Sequence, residues 1–106
     1  MAKDLRFSLL LAFYRNLLND KQVEMLESYY DHDLSLSEIS ENVGMSRQGV
    51  RDTIKRAEQQ LSEYEEKLGL IDRYDRMADE ARSCLEALEA GKTDEARESL
   101  RKMTEL

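Results

Sequence analysis

The chain has 106 residues, which is the length of one small domain or of a compact domain with a helical extension. It contains no Pro, and its sixteen Leu outnumber the nine Val, Ile and Thr together, a balance that argues against an all-β fold and favours helices. The formal net charge of −7 excludes an electropositive field over the whole protein, so any contact with nucleic acid must come from a local basic patch.

The cysteine content and the apolar runs restrict the class of protein further. A single Cys excludes an internal disulfide framework, a zinc finger and a CxxC redox pair. The longest apolar run, Leu9 to Phe13, is five residues long, far short of the roughly 20 residues of a membrane span. No signal-peptide cleavage pattern follows this run. These features predict a cytoplasmic protein without membrane insertion.

Two helices are predicted in the first third of the chain. The first runs from residue 4 to about residue 18, with an apolar face that begins with Leu5 and Leu9 and is widened by Leu10, Leu11 and Tyr14. Asn19 or Asp20 caps the second helix. That helix carries the i, i+3, i+6, i+7 spacing of a buried stripe, formed by Val23, Leu26, Tyr29 and Tyr30. The polar run that follows ends it.

A third and a fourth helix follow, joined by a turn of only a few residues. Ser35 and Glu38 form a capping-box pattern, in which each side chain bonds the backbone N–H of the other residue. Gly44 ends the third helix, because glycine tolerates the left-handed conformation of such a turn. Ser46 is the predicted cap of the fourth helix. The inner face of the third helix consists of Leu36, Ile39 and Val43.

Two heptad patterns occupy most of the remaining chain. The first is formed by Val50, Ile54, Ala57, Leu61, Tyr64, Leu68 and Ile71. The second is formed by Leu70, Tyr74, Met77, Ala81, Cys84 and Leu88. The patterns are out of phase, which predicts a break at Gly69, and Gly91 closes the second one. Thr93 is the predicted cap of a last helix, whose inner face consists of Ala96, Leu100 and Met103.

Residues 36–50 carry the sequence pattern of a helix-turn-helix. The small Ser40 lets the two helices approach, and Gly44 makes the turn between them. Val50 and Ile54 hold the second helix against the first, which leaves its outer face free to enter a major groove. Residues 47–56 carry four basic side chains and one acidic side chain, whereas the segments before and after them are net acidic. The one positive segment is therefore the predicted recognition helix.

The outer face of this helix supplies the candidate nucleic-acid-binding residues. A rotation of about 100° per residue puts four side chains opposite the buried ones, namely Gln48, Arg51, Asp52 and Lys55, with Arg47 and Arg56 at the edges. We expect the phosphates to be held by Arg47, Lys55 and Arg56. Gln48 and Arg51 are expected to reach base edges. Ser46, as the cap, presents the N-terminus of the helix to a phosphate.

Several short runs in this region resemble one known family. They are, in chain order, Leu17-Leu18, Lys21-Gln22, Tyr29-Tyr30, residues 33–39, residues 46–50 and residues 54–58. Together they resemble the YlxM family of bacterial helix-turn-helix proteins over residues 5–70. That family is similar to region 4 of sigma-70 factors, the domain that reads the promoter −35 element. We expect an aromatic residue in the family at position 51, where this chain has Arg.

The resemblance implies a regulatory protein that binds DNA. Members of the YlxM family are associated with the signal recognition particle pathway, because their genes neighbour those of its GTPases. A component of that pathway is therefore an implied partner. The alternative is a protein-interaction adaptor of the secretion and signal recognition particle machinery that does not bind DNA, since helix-turn-helix geometry also serves protein docking.

No other set of residues indicates a chemical site. His32 lies near a predicted helix end, where its cation suits the helix dipole better than its ring suits a metal. Cys84 occupies a heptad core position and is expected to be a small buried hydrophobe. The chain has no Gly-rich phosphate loop and no Ser/His/Asp set. We therefore expect no enzymatic activity, no cofactor and no metal site.

Taken together, the sequence predicts an all-α fold in two parts. Residues 1–69 form a sigma-region-4-like helix-turn-helix domain that binds double-stranded DNA, with an extended recognition helix. Residues 70–106 form a C-terminal helical hairpin that mediates dimerisation. The apolar stripe of residues 70–88 is too long for one short partner helix to cover, so a homodimer is predicted. The stripe is expected to pack against the first heptad pattern, Val50 to Leu68, of the partner or of its own chain.

Overall fold

The computed structural model describes residues 3–106, and every regular element within them is helical. The first helix, α1, spans Arg6–Tyr14 and continues as a 3-10 turn over Arg15–Leu17. The second, α2, spans Asp20–Leu26 and continues as a π turn over Glu27–Asp31. The other four helices are α3 (Leu36–Val43), α4 (Arg47–Leu68), α5 (Leu70–Glu89) and α6 (Thr93–Thr104). The prediction of an all-α fold is confirmed.

The helices form two compact units. The first unit ends at Leu68 and contains α1 to α4, and the second, Gly69–Leu106, contains α5 and α6. Gly69 has a φ of +62°, the left-handed conformation, which confirms the predicted break in the chain. The assignment of DNA binding to one part and dimerisation to the other remains a prediction.

In the first unit, α4 is the central helix, because α1, α2 and α3 each contact it. Its buried side chains recur every three or four residues and are Val50, Ile54, Ala57 and Leu61. The rest of the core consists of Leu10, Leu11, Tyr14, Met25, Leu26, Tyr29 and Ile39. The N-terminal half of the first heptad pattern is therefore covered within one chain.

The predicted apolar face of α1 is broader than the side of the helix that is buried. Leu5 and Leu9 are 73% and 46% exposed, whereas Leu10, Leu11 and Tyr14 are buried. Most residues of this helix are apolar, so the spacing alone does not determine which side faces the core. The contacts of α1 with α2 and α4 determine it instead.

The start of α2 agrees with the sequence prediction, but its last turn does not. Asn19 caps the helix in a capping box with Gln22, in which each side chain accepts a hydrogen bond from the other residue's backbone N–H. The helix then widens into the π turn, where the His32 N–H donates to the Glu27 carbonyl at 2.9 Å. Tyr30 consequently leaves the predicted buried stripe and is only half-buried.

The turn between α3 and α4 has the predicted geometry. Ser35 Oγ accepts a hydrogen bond from the Glu38 N–H, and Glu38 Oε1 accepts one from the Ser35 N–H, both at 3.1 Å. Gly44 lies in the left-handed region, with φ +70°. Ser46 Oγ accepts a hydrogen bond from the Gly49 N–H at 3.0 Å, which caps α4.

In the second unit, α5 and α6 pack against each other through small side chains. Cys84 and Ala87 on α5 and Ala96 and Ser99 on α6 are buried. Small residues let the two helices approach closely, so larger side chains remain outside the contact. For this reason Leu100, which is predicted to face inward, is 51% exposed.

The predicted cap of α6 is wrong by one residue. Thr93 is the first residue of the helix, and Lys92 occupies the cap position without a side-chain hydrogen bond. The Lys92 N–H donates to the Ala87 carbonyl at 2.7 Å, which closes the connecting loop just before the threonine.

The hairpin leaves an apolar stripe of α5 exposed, which combines Met77, Ala81 and Leu88 of the second heptad pattern with Leu85, a residue outside that pattern. Met77, Leu85 and Leu88 are 40%, 57% and 55% exposed, and Ala81 is also exposed. We call these four residues the α5 stripe. Cys84, between them in the chain, is buried against α6 as predicted.

Candidate nucleic-acid interface

The first turns of α4, with the residue that caps them, expose a continuous set of polar and basic side chains. The six residues predicted to bind nucleic acid are all exposed, and they are Ser46, Arg47, Gln48, Arg51, Lys55 and Arg56. Val50 and Ile54, which are 0% and 3% exposed, fix the rotation of the helix about its axis. The polar side of α4 therefore faces away from the core of the first unit.

The rotation of α4 divides these side chains among three directions. With the buried line of the helix as reference and about 100° per residue, Gln48 lies opposite the core. Arg47 and Arg51 lie on one flank, and Lys55 lies between that flank and Gln48. Arg56 lies on the other flank. The basic side chains thus border the outer face of the helix on both sides.

At the start of α4, the side chains of Ser40 and Ser46 lie close to the backbone of the turn. The Ser40 hydroxyl donates to the Met45 carbonyl, which ties α3 to the turn. A Cβ atom at Gly49 would lie 3.1 Å from Ser46 Oγ and 3.3 Å from Met45 Cε. The absence of a Cβ atom at Gly49 therefore leaves room for the Ser46 hydroxyl to lie close to the backbone and cap the helix.

A cleft borders the flank of α4 that carries Arg47 and Arg51. It has two chambers of about 140 and about 400 Å³, which share Lys3 and Arg51 among their lining residues. Lys55 lines the smaller chamber and Arg47 the larger one. The carboxylates that line the cleft are Asp4, Asp33, Glu38 and Glu58. The cleft is thus polar, with both signs of charge along its walls.

Lys3 is a cation of this region that the sequence did not reveal. Its ammonium donates to the carbonyls of Tyr29 and Leu34, at 2.7 and 2.9 Å, and to the Asp33 carboxylate at 3.0 Å. It also lies 4.2 Å from the centre of the Tyr29 ring. These partners are 26 to 31 positions away in the chain, so no local pattern could indicate them.

A half-buried acid, Glu58, lies on the same flank of α4. The Tyr30 hydroxyl donates to Glu58 Oε1 at 3.0 Å. Burial raises the pKa of Glu58, while the hydrogen bond from Tyr30 and the charge of Lys55 act in the opposite direction. Burial, and then the contact with Glu58, raise the pKa of the Tyr30 phenol. Glu58 is therefore protonated more readily than an exposed glutamate.

An acidic residue, Asp52, lies in the middle of the basic face. Gln48 Nε2 donates to Asp52 Oδ1 at 2.8 Å, and both side chains are exposed. Both lie opposite the core when α4 is viewed along its axis. The sequence pattern places Asp52 on this face without indicating a role for it. The available signal was the spacing of four residues between a glutamine and an acid, a distance at which helical side chains meet.

His32 and Cys84 were the other residues considered for a chemical role. His32 is exposed, and no group of three or more possible metal ligands occurs among residues 3–106. Cys84 is a free thiol buried between α5 and α6. None of the described helices combines the length and the apolar character that crossing a membrane requires.

Sequence similarity to known proteins extends over nearly the whole chain. A family model described as "Putative helix-turn-helix protein, YlxM / p13 like" matches residues 1–102. The UPF0122 protein of Desulforamulus reducens is 41% identical over 97 residues, which cover 92% of this chain and 83% of that protein. The UPF0122 protein of Halalkalibacterium halodurans is 42% identical over 93 residues, 88% of this chain and 85% of that protein. In the UPF0122 protein of Thermoanaerobacter pseudethanolicus, the identity is 58% over 67 residues, 63% of this chain and 57% of that protein.

Proposed function

The chain belongs to the YlxM/p13-like family of helix-turn-helix proteins, and from this membership we propose that it is a regulatory protein that binds double-stranded DNA through α4. One observation carries the proposal: residues 47–56 have a local charge of +3 in a chain of charge −7, and their basic side chains are exposed. Binding to duplex DNA depends on neutralising phosphates, so the cations belong on the helix that enters the groove.

The proposed contacts keep the roles predicted from the sequence for the exposed side chains of α4. Gln48, opposite the core, and the neighbouring Arg51 reach base edges in the major groove. Arg47 and Arg56, on opposite flanks, contact phosphates of the two strands that border the groove, and Lys55 contacts a further phosphate. The serine that caps α4 holds the N-terminus of the helix toward the DNA backbone.

The wider context of this function comes from the family. We propose a sigma-region-4-like mode of docking and a role in the signal recognition particle pathway, both of which rest on the resemblance to YlxM proteins. Regulation through chromosomal DNA would place the protein in the cytoplasm.

We further propose that two copies associate through the α5 stripe. The α5 stripe is present in every copy, so a two-fold arrangement pairs each stripe with an identical one and covers both. The exposure of Met77, Leu85 and Leu88 supports this pairing. A dimer also suits duplex DNA, because helix-turn-helix dimers bind two half-sites about one helical turn apart.

Base discrimination tests the proposed function. The wild type enriches duplexes from a randomised pool at about 50 mM salt, and its affinity for these duplexes is compared with its affinity for the unselected pool. Gln48→Ala or Arg51→Ala should cost about 1–3 kcal/mol on the enriched duplexes and much less on the pool. Lys67→Ala is the matched control, because this exposed lysine lies about 18 Å further along α4 than Lys55. Equal losses on both kinds of DNA would contradict base reading.

A protein-interaction adaptor is the second candidate function, and the cleft of mixed charge beside Arg47 and Arg51 favours it. In that function the chain docks on a protein or ribonucleoprotein of the secretion machinery. An adaptor would bind no duplex at about 50 mM salt. It would instead lose its protein partner on Arg47→Ala or Arg51→Ala.

A further inference from the structure

The acid in the basic face of α4 does not fit a role in phosphate binding. Asp52 lies opposite the core, where α4 would face the floor of a groove, and its negative charge opposes the approach of a duplex. Its carboxylate nevertheless engages Gln48, with 2.8 Å between Gln48 Nε2 and Asp52 Oδ1. This pairing suggests that the acid acts on the glutamine and not on the DNA backbone.

The pairing fixes the orientation of the Gln48 amide. An ionised carboxylate accepts hydrogen bonds and donates none, so only the NH2 end of the amide can face Asp52. The carbonyl oxygen Oε1 then points away from Asp52, and the second N–H of Nε2 remains available. Gln48 consequently presents one acceptor and one donor side by side.

This arrangement of one acceptor and one donor matches adenine better than guanine. In the major groove, adenine presents the N7 acceptor and the N6 donor, which a glutamine amide reads with two hydrogen bonds. Guanine presents two acceptors, N7 and O6. If Gln48 Oε1 is held outward, it faces guanine O6, and two acceptor oxygens repel each other. The nearby Asp52 carboxylate adds to this repulsion.

We propose that Asp52 is a positioning residue that makes Gln48 select adenine and reject guanine, while its charge weakens binding to DNA of any sequence. The inference rests on the proposed binding of duplex DNA by α4. It assigns opposite effects to one side chain, a gain in base preference and a loss in general affinity. A purely structural role would not produce this combination.

The test measures the affinity of Asp52→Asn for three probes: a duplex enriched by the wild type, the same duplex with its selected adenine replaced by guanine, and the unselected pool. Asparagine has a similar shape but can accept or donate, so it no longer fixes the amide. The preference for adenine over guanine should fall at least about fivefold. Affinity for the unselected pool should rise, because one negative charge is lost. Asp52→Glu keeps a carboxylate four residues from Gln48 and should retain the preference.

Two controls separate positioning from a general effect of charge. Gln59 and Glu63 form the same kind of pair, with 3.5 Å between Nε2 and Oε1, about 16 Å further along α4. Glu63→Gln should leave the preference for adenine unchanged. In a Gln48→Ala background, Asp52→Asn should still raise affinity for the pool but should change no base preference.

The remaining outcomes would overturn this inference, either alone or together with the proposed function. An unchanged preference in Asp52→Asn, or enrichment of no adenine by the wild type, would overturn this inference and leave the proposed function standing. A change of preference that persists without Gln48 would overturn the positioning role. A folded wild type that binds none of the three probes would overturn the proposed function and this inference together.

Discussion

At the scale of single residues, the turn between α3 and α4 depends most on Gly44. Its φ is +70°, and a Cβ atom there would meet nothing within 4 Å, so a side chain would be opposed by backbone strain alone. Gly44→Val should lower the free energy of unfolding by about 1–3 kcal/mol, because β-branched residues are strained in the left-handed region. Gly44→Asn, which tolerates that region better, should cost less. Urea unfolding followed by circular dichroism measures both, and a valine variant as stable as the wild type would refute the assignment of the turn.

Glu58 gives the first unit a dependence on pH. Burial raises its pKa above the ordinary 4.5, so the folded state binds this proton more tightly than the unfolded state. The stabilisation is complete below the unfolded pKa and is lost as the pH rises through the folded pKa. Glu58→Gln keeps an oxygen for the Tyr30 hydroxyl and does not ionise, so it should gain stability relative to the wild type as the pH rises above about 4.5. Urea unfolding over a range of pH measures the difference, and parallel profiles would contradict it.

The predictability of single residues depends on how far apart their partners are in the chain. The cap at Ser35 and the cap at Ser46 each involve a partner three residues away, so the sequence predicts both. The bonds of Lys3 and the bond from Tyr30 to Glu58 join residues 26 or more positions apart. Such contacts arise from packing, and no pattern within one helix records them.

At the scale of elements, the two flanks of α4 lead to a prediction about strands. Because Arg47 and Arg56 project on opposite sides of the helix, they should contact phosphates of different strands. Phosphate-ethylation interference should therefore disappear on one strand for Arg47→Ala and on the other strand for Arg56→Ala. Each variant should also reduce the steepness of the plot of log affinity against log salt concentration by about 1, the contribution of one phosphate contact. Loss of interference on the same strand for both variants would show that α4 lies in the groove differently.

The helices themselves were predictable where their apolar residues are sparse. In α4 the buried Val50 and Ile54 stand among polar residues, so the spacing identifies the inner side. In α1 most residues are apolar, and tertiary contacts select Leu10 over Leu9. Met25 was missed because it lies outside the predicted stripe of α2, and it is buried in a helix that contacts both α1 and α4.

At the scale of the whole molecule, the α5 stripe leads to a prediction about assembly. Ala81 is exposed in a single chain, so Ala81→Glu should not disturb the fold of that chain. In a dimer paired through the stripe, the new carboxylate would be buried at a cost of several kcal/mol. Sedimentation should therefore find the variant monomeric at concentrations, on the order of tens of micromolar, at which the wild type is a dimer.

A matched substitution outside the stripe controls for the added charge. Ala90→Glu makes the same change at the exposed residue that follows the last turn of α5, outside the stripe, and should leave the dimer intact. A wild type that sediments as a monomer at such concentrations would contradict the proposed pairing. Dissociation of both variants would show that net charge, and not the stripe, controls association.

The distribution of charge over the molecule sets the conditions under which DNA binding can be seen. The residues before and after 47–56 are net acidic, so they repel a duplex within about one Debye length, beyond which salt screens their charge. The positive segment of α4 acts at contact distance, where low salt strengthens it most. In the proposed function, the acidic charge of the rest of the chain therefore limits the affinity, and α4 is the element that contacts the duplex.

The central claim, that α4 binds double-stranded DNA, is tested most directly by a salt titration of wild-type binding to random-sequence duplex, followed by fluorescence anisotropy. We expect binding at about 50 mM salt and a linear fall of log affinity with log salt concentration up to about 200 mM. Lys55→Ala should reduce the slope by about 1, and Lys67→Ala should leave it unchanged. A folded wild type that binds no duplex at about 50 mM salt, or whose affinity does not change with salt, would contradict the claim.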